Sequence, residues 1–337
     1  MTAARPGGAE PRGTFAVVGG AGFIGGHLTE RLLAAPAVTR VVVYDNFSSG
    51  REWHLEAVNE DPRLEVVRAD VEDFDRLKRC LSGCGTVVHL ASNPDIARAM
   101  TDPRIDFDAG TLLTQNVVEA ARQAGCRRVL YASGSGVYGD AGEAEMDEDH
   151  GPMLPVSTYG ASKLAGEALL CSYAAMFGIT ACAFRFGNVV GPRQTHGVGY
   201  DFVLRLLDDG GALRILGDGS QSKPYVHVED VIEAMLLANE RGGRPYEVFN
   251  VAPKDYTTVR EIADMAVEVV LGQGRPVEYL YTGGRGGWKG DVPVVRLNTD
   301  RIRSLGWTSK RSSNEAVRAS LEAMVTDALA GRLAAKG

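Results

Sequence analysis

Three observations in the 337-residue sequence predict an α/β fold, a doubly wound parallel sheet followed by a smaller C-terminal lobe. Short apolar runs recur through the first half: Thr14–Val18, Arg40–Tyr44, Leu64–Val67, Thr86–Leu90 and Arg128–Ala132. They lack polar alternation, and strands apolar on both faces belong to parallel sheets covered on both sides. Helical patterns separate them, and right-handed crossovers wind such a chain into a two-sided sheet. Finally, the rhythm loosens after Phe184, which sets off the second lobe.

The first run leads through a glycine turn into a helix patterned by Phe23, Ile24, His27, Leu28 and Leu32. Three consecutive valines, Val41 to Val43, make the second strand. A helix over 107–124 precedes the strand that begins at Arg128. Further on, Gly, Pro and Arg cluster at 187–199. Short strands are expected near 213–216 and 246–251, and helices near 229–240, 258–271 and 312–332. The expected organisation is a loose tail at 1–12 and a nucleotide-binding domain at 13–187, to which the chain returns around 227–251. Residues 188–226 and 252–337 form the lobe.

Composition narrows the function. Lys and Arg number 36 against 43 Asp and Glu, a net charge of −7, which argues against a nucleic-acid partner. No apolar run approaches the roughly 18 residues of a membrane span. Residues 1–12 lack the apolar centre of a signal peptide. The five cysteines, Cys80, Cys84, Cys126, Cys171 and Cys182, are odd in number without a CxxC pair. Reduced thiols in a cytoplasmic protein are expected. The histidines show no ligand spacing, so no metal site is expected.

The strongest motif is Gly19-Gly20-Ala21-Gly22-Phe23-Ile24-Gly25, set between the first strand and first helix. Glycines permit the tight turn and close approach to a pyrophosphate, and the helix N-terminus supplies positive potential for it. This makes the sheet Rossmann-type. Asp45 ends the next strand, where a carboxylate can accept the adenosine ribose hydroxyls and repel a 2′-phosphate. With neutral Asn46 beside it, NAD is favoured over NADP. Asp70 reads either as a contact to the adenine amino group or as a helix N-cap.

Tyr159 and Lys163 open a later helix, and a spacing of four puts both on one face. A tyrosine titrates near pH 10, too high for a base at neutrality. A nearby ammonium and a positive nicotinamide ring favour the phenolate. Lys163 can also hold the nicotinamide ribose.

From residue 13 onward the sequence resembles the extended short-chain dehydrogenase/reductases, in particular the nucleotide-sugar 4-epimerases. The resemblance rests on 19–25, Asp45-Asn46-Phe-Ser-Ser-Gly50, Asp70-Val71, His89-Leu-Ala-Ser-Asn-Pro-Asp95 and Ser133-Gly-Ser-Gly-Val-Tyr-Gly139. It continues through Tyr159-xxx-Lys163, Arg185-Phe-Gly-Asn188, Leu216-Gly-Asp-Gly and Tyr225-Val-His-Val. Thr195-His-Gly-Val and Gly287-Trp-Lys-Gly-Asp-Val-Pro look most like the UDP-glucose/UDP-galactose 4-epimerase branch.

The resemblance implies NAD contacts from Ser49, Gly50, Val71, Leu90, Ala91, Ser92, Ser133 and Phe186, beside those already named. It implies that Tyr159 takes the proton of the sugar C4 hydroxyl while the C4 hydride passes to tightly held NAD. The 4-keto sugar then swings about its pyrophosphate linkage and is reduced on the other face. Asn188 looks like a diphosphate or sugar contact, and Val198, Phe202 and Leu216 like walls of the nucleotide pocket, or core. A homodimer through the helices near 103–124 and at Tyr159 is also implied.

Several positions depart from the family pattern. The Ser or Thr that bridges the tyrosine and the C4 oxygen is Gly134 here, so either Ser135 first, then Ser133, substitutes, or Thr158 helps, or Tyr159 acts alone. The Asn near the nicotinamide falls at Gly110. The pyrophosphate Arg is Lys223, a point charge, and a second falls at Gly286 with Arg285 one residue early. Arg193, Arg285 and Lys289 stay candidates for phosphates or a carboxylate. Family members that dehydrate carry Asp-Glu where Ser135 and Gly136 stand, and decarboxylases carry Glu at Gly136, so both activities are disfavoured. A UDP-glucuronate substrate stays open, because Arg185, Arg193 or the glycine-rich turn can receive a carboxylate. So does a sugar-nucleotide binder without turnover.

Overall fold

A computed structural model describes residues 9–93 and 95–333. The first half builds β1 (Gly13–Val18), α1 (Phe23–Leu33), β2 (Val38–Asp45), β3 (Leu64–Arg68), α2 (Phe74–Leu81) and β4 (Thr86–His89). It continues with α3 (Leu113–Gln123), β5 (Arg128–Ala132), α4 (Thr158–Phe177) and β6 (Thr180–Phe186). The remainder comprises β7 (Asn188–Val190), α5 (Val198–Asp208), β8 (Ala212–Ile215), β9 (Ser222–Lys223), β10 (Tyr225–His227), α6 (Val228–Arg241) and β11 (Tyr246–Val251). Last come β12 (Thr257–Thr258), α7 (Val259–Leu271), β13 (Glu278–Tyr281), α8 (Asp300–Ser304) and α9 (Ser313–Leu329).

Seven parallel strands form the central sheet in the order β11-β6-β5-β4-β1-β2-β3. Alternate residues of β1 explain its two-sided burial. Phe15 and Val17 join a core with Leu28 and Leu32 of α1 and Met235 of α6, whereas Ala16 and Val18 pack with Leu77, Val117 and Leu170 of α2, α3 and α4. The winding direction reverses between β1 and β4, and in such sheets the crevice outside the strand ends at that point receives the ligand. The lobe has its own core, built from Phe202 and Val203 of α5, Leu213 of β8, Ile262 of α7 and Leu321 of α9. Its α7 and α9 each open with a capping box, Thr258 with Glu261 and Ser312 with Glu315.

Two expectations are corrected. Within the expected loose tail, residues 9–12 are described and Ala9 is packed: its N–H donates to Glu233 Oε1 at 2.7 Å and its carbonyl accepts from Arg31 at 2.6 Å. Residues 1–8 of that tail lie outside the described residues, as does Pro94 of the His89–Asp95 motif. The helix expected over 107–124 is regular only in α3; residues Phe107–Leu112 form wider π-helical turns. Here Gly110 packs on α4, where a Cβ would lie 2.6 Å from Ser162 Oγ.

All five cysteines are free. No helix among the described residues is long and apolar enough to cross a membrane.

Candidate active site

A cavity of about 790 Å3 opens where the sheet order reverses, reaching from the α1 N-terminus past Tyr159 to α5 and β8 of the lobe. Its first end is built by the glycine turn. Gly19 has φ +84, and a Cβ there would sit 2.6 Å from the Ala91 nitrogen. A Cβ on Gly25 would sit 2.4 Å from the Gly19 carbonyl oxygen, so only hydrogen lets α1 back onto β1. No side chain caps α1, and Gly22, Phe23, Ile24 and Gly25 line the cavity. The first-turn amides are therefore open to an anion. Overpacking of this kind costs about 1–3 kcal/mol. Gly25→Ala is thus expected to weaken NAD binding about tenfold or more, measurable by titration calorimetry.

Asp45 is buried in the cavity wall. Its Oδ2 accepts the Ala21 N–H at 2.9 Å and its Oδ1 the Phe47 N–H at 2.8 Å. Burial raises its pKa and those two amides counter the rise. Each oxygen retains a lone pair for a ribose hydroxyl. Asp70 accepts Asn46 Nδ2 at 2.7 Å and the Glu72 N–H at 3.0 Å. The N-cap of α2 is Asp73, so the capping alternative for Asp70 falls. Asn46, Ser49, Asp70, Val71, Leu90, Ala91, Ser92 and Phe186 line this end. Gly50 does not line it. It makes room instead, since a Cβ would lie 2.9 Å from both Ala21 Cβ and Asp45 Oδ1.

Tyr159 and Lys163 occupy one wall midway along. Lys163 is buried, its Nζ donates to the Ala132 carbonyl at 2.8 Å, and it stands 5.4 Å from the Tyr159 ring centroid. Burial pushes Tyr159 up to about 12, partly offset by the Ser92 hydroxyl, while burial pushes Lys163 down to about 8. Burial works against both charged forms, so the phenolate needs the positive nicotinamide as well as the ammonium.

The candidate hydroxyls separate. Ser133 Oγ donates to Glu167 Oε1 at 2.6 Å, and Thr158 Oγ1 to Asp106 Oδ2 at 2.6 Å, so both are committed elsewhere. Ser135 begins the 3-10 turn Ser135–Tyr138 and lines the cavity.

The cations separate as well. Arg193 lies outside the cavity lining, bonded to both Glu30 oxygens at 2.6 and 2.8 Å and to the His54 carbonyl. Arg185 is buried outside the lining, bonded to Glu167 at 2.7 Å and to Tyr138 Oη of the Ser135–Tyr138 turn at 2.9 Å. Exposed Arg285 and Lys289 also fall outside the lining. Lys223 lines it, paired with Asp291 at 2.7 Å. The lobe end is lined by the candidates Asn188, Val198, Phe202 and Leu216, and by Arg205, Arg214, Gln194 and Trp288, which sequence reasoning missed. Arg205 was within reach of it, because Val198, Phe202 and Arg205 share the i, i+4, i+7 face of one helix. Asn93 and Asn116 were missed too, and carry no local signal.

Fold and cavity together define an enzyme class with a dinucleotide-type glycine turn at the sheet's switch point and a Tyr/Lys pair on the wall of the same cavity. Residues 15–252 match the model of the NAD dependent epimerase/dehydratase family, and the chain belongs to that family, with NAD as its cofactor. It is 34% identical over 313 residues to a UDP-glucose 4-epimerase of Mycolicibacterium smegmatis, covering 91% of this chain and 96% of that protein. A crystal structure of a UDP-galactose 4-epimerase superposes with TM-score 0.82 at 36% identity, covering 93% and 99%. MoeE5, solved with UDP-glucuronic acid and NAD, superposes with TM-score 0.81 at 31% identity, also covering 93% and 99%.

Proposed function

We propose that the protein is an NAD-dependent 4-epimerase of a neutral UDP-hexose, interconverting UDP-glucose and UDP-galactose. The observation that carries the reading is Tyr159 with Lys163 on the wall between the α1 N-terminus and the lobe. When bound, NAD supplies a reversible hydride acceptor. Tyr159 Oη holds and returns the proton of the C4 hydroxyl, with Ser135 Oγ as its hydrogen-bonding partner at the sugar. Lys163, fixed by the Ala132 carbonyl, keeps positive charge beside the phenol. Asp45 and Asp70 receive the adenosine end. Arg205 and Arg214 supply positive charge for the sugar-nucleotide diphosphate at the lobe end, where Lys223 is held by Asp291.

Neutral hexose is favoured over hexuronate by the fate of the two arginines. Arg185 and Arg193 are both spent on carboxylates outside the lining, so neither is free for a C6 carboxylate. Ser135 and Gly136, where dehydratases carry an acid pair, argue against loss of water. The test is NMR of the C4 configuration after mixing with UDP-glucose and, separately, UDP-glucuronate. Inversion of the first alone is expected. Inversion of the second alone, carbon dioxide release, loss of the C6 oxygen or no turnover would each overturn the reading.

Ser135→Ala is expected to lower kcat by roughly tenfold to a thousandfold. Gly134 is extended and a Cβ there meets nothing within 4 Å, so Gly134→Ser fits. Adding it to Ser135→Ala is expected to restore part of the lost rate. An unchanged kcat in Ser135→Ala would leave Tyr159 acting without it.

A cytoplasmic homodimer completes the proposal. The free cysteines support the location. Exposed Phe107, Leu112, Met176 and Phe177, before α3 and at the end of α4, support pairing through these elements.

A further inference from the structure

A buried carboxylate that the proposed chemistry does not use stands behind the Tyr159–Lys163 pair. Asp106 is 1% exposed and lies just before the π-helical turns. Its Oδ1 accepts Asn93 Nδ2 at 2.9 Å and its Oδ2 accepts Thr158 Oγ1 at 2.6 Å. Thr158 is the first residue of α4 and immediately precedes Tyr159. Asn93 adjoins Ser92, the residue whose hydroxyl faces the Tyr159 phenol, and both line the cavity. One side chain thus joins the two segments that set the phenol against its hydroxyl neighbour.

We infer that Asp106 is a positioning residue for the Tyr159–Lys163 pair: it staples the Ser92–Asn93 segment to the first turn of α4 and keeps a fixed negative charge behind both side chains. The inference rests on the epimerase reading for its catalytic meaning. The geometry stands without it.

The charge acts with a definite sign. A negative group disfavours a phenolate and favours an ammonium, so Asp106 raises the pKa of both Tyr159 and Lys163. The other titratable groups near the pair include Tyr131 of β5, whose ring centroid is 5.2 Å from Lys163 Nζ, His89 of β4, and Glu167, four residues after Lys163 on α4 and paired with Arg185. Burial pushes His89 down to about 3, so it stays neutral, and burial likewise keeps Tyr131 protonated. Glu167 is neutralised by Arg185, whereas Asp106 is held by the neutral side chains of Asn93 and Thr158 and keeps its charge unpaired among these neighbours. It holds Lys163 cationic against desolvation, and it resists ionisation of Tyr159 until the positive cofactor is present.

Asp106→Asn tests the charge with little change of shape, since its amide oxygen accepts from Asn93 and its amide nitrogen donates to the Thr158 hydroxyl. The readout is the ultraviolet absorbance of tyrosinate in the NAD-loaded protein, with Tyr159→Phe identifying the Tyr159 contribution. The Tyr159 midpoint is expected to move to lower pH by about half a unit or more. An unmoved midpoint would overturn the charge role. Thr158→Val keeps the charge and cuts the staple. It is expected to lower kcat with UDP-glucose at least about tenfold and to leave the midpoint in place. Wild-type kcat in that variant would overturn the positioning role. The absorbance titration needs no sugar nucleotide, so it decides the charge role even if the epimerase reading fails.

Discussion

Turnover of UDP-glucose is expected to fall by about a thousandfold in Tyr159→Phe, with NAD still bound. The substitution removes one oxygen and leaves the ring, so the wall of the cavity and the packing of α4 persist. The dinucleotide end is unaffected, because the glycine turn, Asp45 and Asp70 come from other segments. Two measurements separate the effects: kcat by coupled assay or NMR, and NAD released on denaturation per protomer. Retained turnover would remove Tyr159 from the role of base. Lost NAD would show that the phenol serves binding rather than proton transfer. The expected loss is large because no other side chain can take over. Ser133 and Thr158 are tied to Glu167 and Asp106, and Lys163 is fixed on a backbone carbonyl.

The largest stability effect is expected at Arg185. Its guanidinium is 3% exposed and its partner Glu167 is 5% exposed, so the pair is cut off from water. Burial works against the arginine charge, and the Glu167 carboxylate overcomes that penalty and raises the pKa. The network is closed: Ser133 Oγ donates to Glu167, and Arg185 donates to Tyr138 Oη and to the Glu148 carbonyl. Tyr138 in turn donates to Asn250 Oδ1 at 2.7 Å. Both ends of the segment Ser133–Tyr138, which carries Ser135, therefore hang on one ion pair.

Arg185→Met leaves a buried carboxylate without its counter-ion, which costs about 3–5 kcal/mol. Denaturant unfolding checks this through the midpoint. Adding Glu167→Met removes the orphaned charge, and the double variant is expected to recover most of the loss, because a buried pair replaced by apolar groups of similar volume is near neutral. A single variant within about 1 kcal/mol of wild type would show that the pair is not the support of this loop.

Much of the dinucleotide end was legible in the sequence because its determinants are local. A turn that admits no Cβ has to be written as glycine, and Gly19, Gly20 and Gly25 meet that demand within seven residues. Asp45 ends the neighbouring strand, so strand order alone brings it to the turn. Tyr159 and Lys163 share a helix face by spacing alone. At the lobe, Val198 and Phe202 were suggested by the family resemblance alone, with a core role left open.

The fate of the charged and hydroxyl side chains was not legible. Arg193 meets Glu30 across 163 positions, and Arg185 meets Glu167 across two elements of the sheet layer. Nothing in the local sequence distinguishes these from arginines that face a phosphate. Gly50 looked like a contact but serves as empty space for Asp45. Ser133 and Ser135 are two residues apart and both line the cavity, yet only the Ser133 hydroxyl is tied to Glu167. Asp106 gave no signal, since its meaning depends on Asn93 and Thr158 arriving from separate segments.

The sequence by itself determined the fold class, the cofactor turn and the Tyr/Lys pair, because backbone sterics and helical period act over a few residues. Tertiary structure alone decided which cations line the cavity, which hydroxyls are tied to carboxylates and which carboxylate is buried against the first turn of α4. Those outcomes are competitions among long side chains for partners, and burial settles them by making an unpaired charge too costly to leave.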